Sequence, residues 1–278
     1  MIAARPRREC DVGHGAVKRV RLDSLLAERG IFESRARAAA SVLAGDVLLG
    51  AERRRATKPG EIVAEDVEVD VVRRLPYVSR GGVKLANALD ALEVSVRGAL
   101  ALDVGASTGG FTDCLLQRGA DRVVALDVGY GELAWKLRED PRVTVLERVN
   151  ARGLRPDMLP YAPGLIVIDV SFISLTKILP AVLACAAPRF DCLAMVKPQF
   201  EVGRERVGKG GVVRDAGARR DAIVSVGRAG LGLGAAVGGF ATSGLPGPKG
   251  NRETFVWLHS RERAGLTDLE AAAREVTV

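Results

Sequence analysis

Hydrophobic positions along the 278-residue chain change their period near residue 80. Before that point the apolar runs are short. "RLDSLLAERG" sets Leu22, Leu25 and Leu26 at helical spacing and stops at Gly30. "SRARAAASVLAGD" opens with Ser34 as a candidate N-cap and closes at Gly45. "VLLG", a polar turn and the alternating "EDVEVDVV" read as short strands around a small sheet. The pattern predicts a small α+β unit over residues 19–72, behind an aperiodic extension over 1–18. "VVRRLPYVSRGG" then breaks the periodicity with Pro76 and paired glycines, predicting a linker over 73–79.

From residue 80 helix and strand alternate. "GGVKLANALDAL" and "GGFTDCLLQRG" are helical, as are "GELAWKLRED" and "KILPAVLACA". Between them "ALALDVG", "RVVALDVG", "VTVLERV", "GLIVIDVSF" and "DCLAMVKPQF" are strands. Such alternation predicts an α/β domain over residues 80–264, a parallel sheet with helices on both faces. "GAAVGGFATSG" and "ETFVWLHS" are joined only by "LPGPKGNR", too short for a helical crossover, so they pair antiparallel. A parallel sheet closed by an antiparallel C-terminal strand is the Rossmann-like shape of S-adenosylmethionine methyltransferases, whereas dinucleotide folds usually continue parallel. Residues 265–278 read as a helical tail.

Composition narrows the class. Apolar residues make up 47% of the chain, which fits a globular protein, and the net charge of +7 favours an anionic partner. Four scattered cysteines (Cys10, Cys114, Cys185, Cys192) form no CxxC pair, and only His14 and His259 accompany them. No metal site and a reducing compartment are expected. The basic start lacks an apolar h-region, so a cytoplasmic monomer without a secretory signal is the expectation. The uncharged stretch 229–248 approaches membrane length but is too rich in Gly and Pro to span. Arg35, Arg37, Arg53, Arg54, Arg55 and Lys58 fall on two neighbouring elements of the small unit, and Arg21 and Arg80 extend the set. One basic helix face is often merely solvated; two in so small a unit predict contact with nucleic-acid phosphates.

The stretch "LDVGASTGGFTDCLL" turns from strand to helix through a glycine loop. Its G-x4-G spacing matches a phosphate-binding loop, but Phe111 and Thr112 stand where that motif needs Lys and Ser/Thr. A dinucleotide fingerprint needs glycine where Ser107 stands, which weakens that reading. What remains is a cradle of Gly105, Ala106, Ser107, Gly109, Gly110 and Phe111 for a ligand without phosphate. S-adenosylmethionine fits. Asp103 ends the first strand and can meet its ammonium group. Asp127 ends the second, where a carboxylate takes the ribose hydroxyls, and Asn150 and Ala151 border the adenine.

Ligands of open parallel sheets sit outside the carboxyl ends of the strands. Those ends hold Asp169 after "LIVI" and Lys197 after "CLAMV". Lys84 lies in the helix leading into the sheet, and Glu253 begins the final strand. A ribose hydroxyl is a poor nucleophile and needs a base. A free lysine at about pKa 10.4 is neutral in only about one molecule in 2,500 at pH 7. Burial and a second lysine favour the neutral amine, while carboxylates oppose it. Amine methylation needs no such base and cytosine C5 methylation needs a cysteine. Cys192 begins the strand that Lys197 ends and should point away. The residues fit 2'-O transfer best.

"SRGGVKL", "LDVGASTGGFTDCLL", "DVGYGELAWKLREDPRV", "ERVNARGL", "DVSFISL", "VKPQFEVG" and "LPGPKGNRETFVWL" resemble the TlyA family, rRNA 2'-O-methyltransferases also called hemolysins, over about residues 19–260. The resemblance implies an S-four-type RNA-binding domain, an interdomain linker and an FtsJ-like domain. It also implies a catalytic set on Lys84, Asp169, Lys197 and Glu253, with Lys197 as base and the others orienting it and the ribose. The implied product is 2'-O-methylcytidine in rRNA at the ribosomal subunit interface. Two other readings compete: a pore-forming hemolysin, which lacks a visible spanning segment, and a non-catalytic RNA-binding assembly factor.

Overall fold

The computed structural model describes residues 18–43, 45–71 and 76–277, in two compact units that divide at residues 74/75. The expected extension, save Lys18, and residues 73–75 of the expected linker lie outside the described residues.

The first unit runs β1 (Arg19–Arg21), α1 (Leu22–Glu28), α2 (Arg35–Leu43), β2 (Val47–Leu49), β3 (Arg54–Arg55), β4 (Ile62–Ala64) and β5 (Val69–Val71). Strand β1 pairs antiparallel with β4, and β2 lies between β3 and β5. Gly30 follows α1 at φ +67°, a conformation that stops the helix at little cost only for glycine. Ser34 Oγ accepts the Arg37 N–H and caps α2. Leu22, Leu25, Leu26, Val42 and Val47 close the core; burying such a side chain contributes roughly 1.5–3 kcal/mol.

The second unit starts with α3 (Arg80–Ala91) and continues β6 (Leu100–Val104), α4 (Gly110–Gln117), β7 (Arg122–Leu126), α5 (Trp135–Arg138) and β8 (Val143–Leu146). After these come β9 (Leu165–Ile168), α6 (Leu179–Leu183), β10 (Asp191–Val196), α7 (Pro198–Glu201), α8 (Ala216–Gly232), β11 (Ala235–Thr242), β12 (Thr254–Ser260) and α9 (Leu269–Glu275). The sheet order is β11-β12-β10-β9-β6-β7-β8, and β12 alone runs against the rest. Near-continuous apolar strands such as "LIVI" and "CLAMV" fit burial on both faces, with one hydrophobic cluster on each side of the sheet. The chain leaves β6 first towards β7 and later returns to β9 on its other flank. That reversal opens a crevice at the carboxyl ends of β6 and β9.

Two local expectations differ from the structure. The helix expected over "GELAWKLRED" shrinks to the four residues of α5. Helix α8 opens within "RDAG" unannounced, because Ala218, Ala222, Gly227 and Gly230 share its buried face with Ile223, Val224 and Val226, leaving few large side chains to mark a period. A Cβ on Gly230 would lie 2.6 Å from Leu258 Cδ2, so the glycine sets how closely α8 rests on the sheet. The C-terminal segment is helical, and Leu269 and Ala273 of α9 join the core.

Candidate active site

The glycine loop follows β6. Gly105 has φ +86°, and a Cβ there would collide with the Asp169 carbonyl oxygen, so glycine lets the loop rest directly on the segment after β9. Gly109, at φ +93°, caps α4; a side chain there would strike Leu133 and Leu137. Ser107 tolerates φ +46° because both of its ends are bonded. Its N–H donates to Asp127 Oδ2 at 2.8 Å and its hydroxyl to Glu132 at 3.1 Å. Asp127 Oδ1 accepts the Gly129 N–H at 2.7 Å. Asn150 caps the turn Ala151–Gly153 by accepting the Arg152 N–H.

Around these residues lies a cavity of about 500 Å³, walled by Gly105, Ser107, Asp127, Glu132, Asn150, Ala151, Asp169 and Phe172 among others. Three carboxylates line it, and none of its lining residues is Lys, Arg or His. A second cavity of about 480 Å³ shares Gly105, Ser107 and Asp169 with the first. Its walls include Ala106, Gly110, Phe111, Arg80, Lys84, Lys197 and Glu253.

Two sequence-predicted residues sit differently from their expected roles. Asp103 lines neither cavity: it is wholly buried, its Oδ2 accepts the Thr112 hydroxyl at 2.7 Å, and its Oδ1 has no hydrogen-bond partner among the described residues. Burial pushes its carboxyl up to about 7. Phe111 is a core side chain, its ring 5.8 Å from that of Phe255.

The four expected catalytic residues meet at the second cavity. Lys84 is ion-paired with Glu253, both buried. Lys197 Nζ lies 2.6 Å from Asp169 Oδ1, an ion pair outside hydrogen-bonding geometry, and donates to Ser171 Oγ at 2.9 Å. The sheet makes this meeting. Val196 is in register with Thr254, so the antiparallel β12 delivers Glu253 to the edge where β10 releases Lys197. Helix α3 supplies the rest from one face: Arg80 donates to the Pro246 carbonyl, Lys84 pairs with Glu253, and Asn87 donates to the Ser243 carbonyl. Cys192 is fully buried and burial drives its thiol well above the usual range, so no cysteine nucleophile is available from β10.

Sequence reasoning missed the rim. Phe172 is 91% exposed, has φ +65°, and sets its ring 5.2 Å from Phe200. Such a backbone costs roughly 1–3 kcal/mol for a bulky residue. The available signal was an aromatic residue in "DVSF", three positions beyond a strand-end carboxylate.

In the first unit the basic residues divide by partner. Arg21 and Arg35 share Asp23, at 2.8 and 3.4 Å, and the Arg21 bond chiefly holds that carboxyl down at about 2. Arg53 pairs with Asp70 and Arg54 with Glu61. Arg37, Arg55 and Lys58 are exposed and make no ion pair with another described residue.

A sheet of this order, with paired cavities at its carboxyl edge, defines a Rossmann-like methyltransferase. The model of the FtsJ-like methyltransferase family matches residues 77–260. The chain belongs to that family and, within it, to the TlyA proteins its motifs resemble; S-adenosylmethionine is the methyl donor. The 16S/23S rRNA (cytidine-2'-O)-methyltransferase TlyA of Mycobacterium tuberculosis is 47% identical over 252 residues, 90% of this chain and 93% of that protein. Hemolysin A of Brachyspira hyodysenteriae is 42% identical over 197 residues, 70% of this chain and 81% of that protein. A solved hemolysin-assigned structure from Streptococcus thermophilus aligns with TM-score 0.69 and 38% identity, covering 94% of this chain and 96% of its own. Among the described residues no helix is long and apolar enough to cross a membrane.

The first cavity suits the donor on its own chemistry. A wall with three carboxylates and no cation repels phosphates and attracts a ligand bearing sulfonium and ammonium charges. Each Asp127 oxygen accepts one backbone N–H and keeps a lone pair for a ribose hydroxyl.

Proposed function

We propose that this chain methylates the ribose 2'-hydroxyl of a cytidine in ribosomal RNA. The pair of Lys197, in the second cavity, with Asp169, in the wall common to both, is the observation that carries the reading. S-adenosylmethionine supplies an electrophilic methyl on sulfur. The ribose enters from the second cavity and its oxygen attacks that methyl in line. The O–CH3 bond forms as the S–CH3 bond breaks, and the hydroxyl proton passes to the Lys197 amine. Asp169 and Ser171 aim the amine and then hold the ammonium it becomes. Lys84, fixed by Glu253, orients the ribose oxygen. Phe172, exposed beside the shared wall, offers its ring to a base swung out of its stack.

The first unit, read as an S-four-type RNA-binding domain over residues 19–72, supplies the grip. Arg37, Arg55 and Lys58 reach phosphates directly, while Arg21, Arg35, Arg53 and Arg54 exchange carboxylate partners for them. A ribosomal substrate also puts the reaction in the cytoplasm.

Lys197→Ala is expected to lower transfer at least a hundredfold, while calorimetry finds S-adenosylmethionine affinity within about twofold of wild type. Full transfer by that variant would remove Lys197 from the role of base. Maps of 2'-O-methyl sites in rRNA from cells with and without the protein would then name the nucleotide, and identical maps would refute the substrate.

A further inference from the structure

Glu201 is a partly buried carboxylate that the transfer chemistry leaves unused. It ends α7, four residues after Lys197. Its Oε2 accepts the Ser174 hydroxyl at 2.6 Å and its Oε1 the Leu175 N–H at 2.8 Å. Ser174 Oγ in turn accepts from Thr176, so the carboxylate ends a chain of three polar groups. No described cation pairs with it, and burial raises its carboxyl above the usual range. It is therefore not half of a salt bridge. It binds a loop.

That loop matters because of what it carries. Residues 169–175 hold Asp169, Ser171 and Phe172; residues 197–201 hold Lys197 and Phe200. The β9–β10 ladder ends at the pair Ile168 and Ala194. Beyond it, among the described residues, no backbone hydrogen bond joins the two segments. Three side-chain links bridge them instead: Lys197 to Asp169 and Ser171, Phe172 against Phe200, and Glu201 to Ser174 and Leu175. The Lys197 links change whenever that amine gains or loses a proton. The Glu201 links do not. Phe172, in a left-handed conformation unusual for an aromatic residue, lies between the two sets of anchors, and such a backbone persists only where its surroundings over-determine it.

We propose that Glu201 is a positioning residue, locking the segment of Asp169, Ser171 and Phe172 to the segment of Lys197 and Phe200 while the base cycles its proton. This rests on the reading of Lys197 as base. Full-length Glu201→Ala is the test, measured for methyl transfer to ribosomal RNA, S-adenosylmethionine affinity by calorimetry, and thermal unfolding. The expected result is a fall in kcat of at least tenfold, with donor affinity and the KM for RNA within about threefold. Glu201→Gln should recover kcat to within about threefold of wild type, because its amide oxygen still accepts from Leu175 and its NH2 can donate to Ser174 once that hydroxyl turns to Thr176. Ser174→Ala, which removes one anchor of the same clamp, should lower kcat by a smaller factor and add little in the double variant. A kcat within twofold of wild type in Glu201→Ala overturns the proposal. So does a parallel loss of donor binding, which would mean a collapsed site, or a Gln variant as defective as Ala. If Glu201→Ala does not fold, the Gln and Ser174 variants decide: unchanged kcat in Ser174→Ala is then the refutation. Failure of the base reading shows separately, as full transfer by Lys197→Ala.

Discussion

Burial of Asp103 beneath the glycine loop raises its carboxyl from 3.8 to about 7, because the carboxylate loses its hydration and Thr112 returns only one side-chain bond. The folded-state value lies above the unfolded one. Between about pH 4 and 7 the folded chain keeps a proton that the unfolded chain has released, so this group's contribution to stability declines as pH rises through that window. The shift corresponds to roughly 4 kcal/mol, spent by about pH 8. Asp103→Asn carries no such proton. Chemical denaturation at pH 4.5 and pH 8 should therefore show the variant gaining on wild type as pH rises, and a pH-independent difference would contradict the buried carboxyl. The same residue marks a limit of reading from sequence. A strand-end aspartate in "LALDVG" is legible as a candidate ligand contact, but its face is set by alternation: Ala101 and Asp103 point to the α3–α4 side, while Leu102 and Val104 point to the other. Lys197, Asp169, Lys84 and Glu253 were legible because each stands at an element end or on a helix face that the sheet must bring to one edge. Ser171, Phe172 and Glu201 were not, since the first two lie in a loop that obeys no period and the third ends a helix of four residues, too short to show one.

Elements assemble this site through one helix face and one loop. Arg80, Lys84 and Asn87 lie one turn apart on α3, and each binds the connection between β11 and β12 or its edge. The staple explains why Arg80, a candidate phosphate contact from composition, also serves the second cavity. Asn87→Ala removes the bond to the Ser243 carbonyl and leaves the Lys84 ion pair in place. Its expected cost is about 1 kcal/mol of stability, with a severalfold drop in transfer and unchanged donor affinity. Equal loss of donor binding in calorimetry would show that the staple supports the first cavity instead. Parallel strands were the most legible elements, their apolar runs demanded by burial on two faces. Helix α8 was the least: Gly230, which lets it approach Leu258, and its buried alanines break up the period that Ile223, Val224 and Val226 would otherwise show.

On the scale of the whole molecule, the proposed function asks different electrostatics of the donor cavity and of the RNA grip. The donor cavity gathers three carboxylates and no cation, which suits a positively charged cofactor and would repel an RNA phosphate. The net charge of +7 is spread over both units, and in the first Arg37 on α2, Arg55 on β3 and Lys58 in the following loop are exposed cations that no described carboxylate neutralises. Affinity for a polyanion grows by displacing counterions from its phosphates, so it falls steeply with salt, whereas binding of a small zwitterionic donor does not. A full-length triple variant, Arg37→Ala, Arg55→Ala and Lys58→Ala, separates the two. Its KM for ribosomal RNA should rise at least tenfold at physiological salt, while donor affinity stays within twofold. The slope of log affinity for RNA against log salt should become shallower by roughly two to three units, near one for each lost phosphate contact. An unchanged slope would assign the RNA grip to other cations, beginning with Arg21, Arg35, Arg53 and Arg54, whose carboxylate partners would then have to yield on binding.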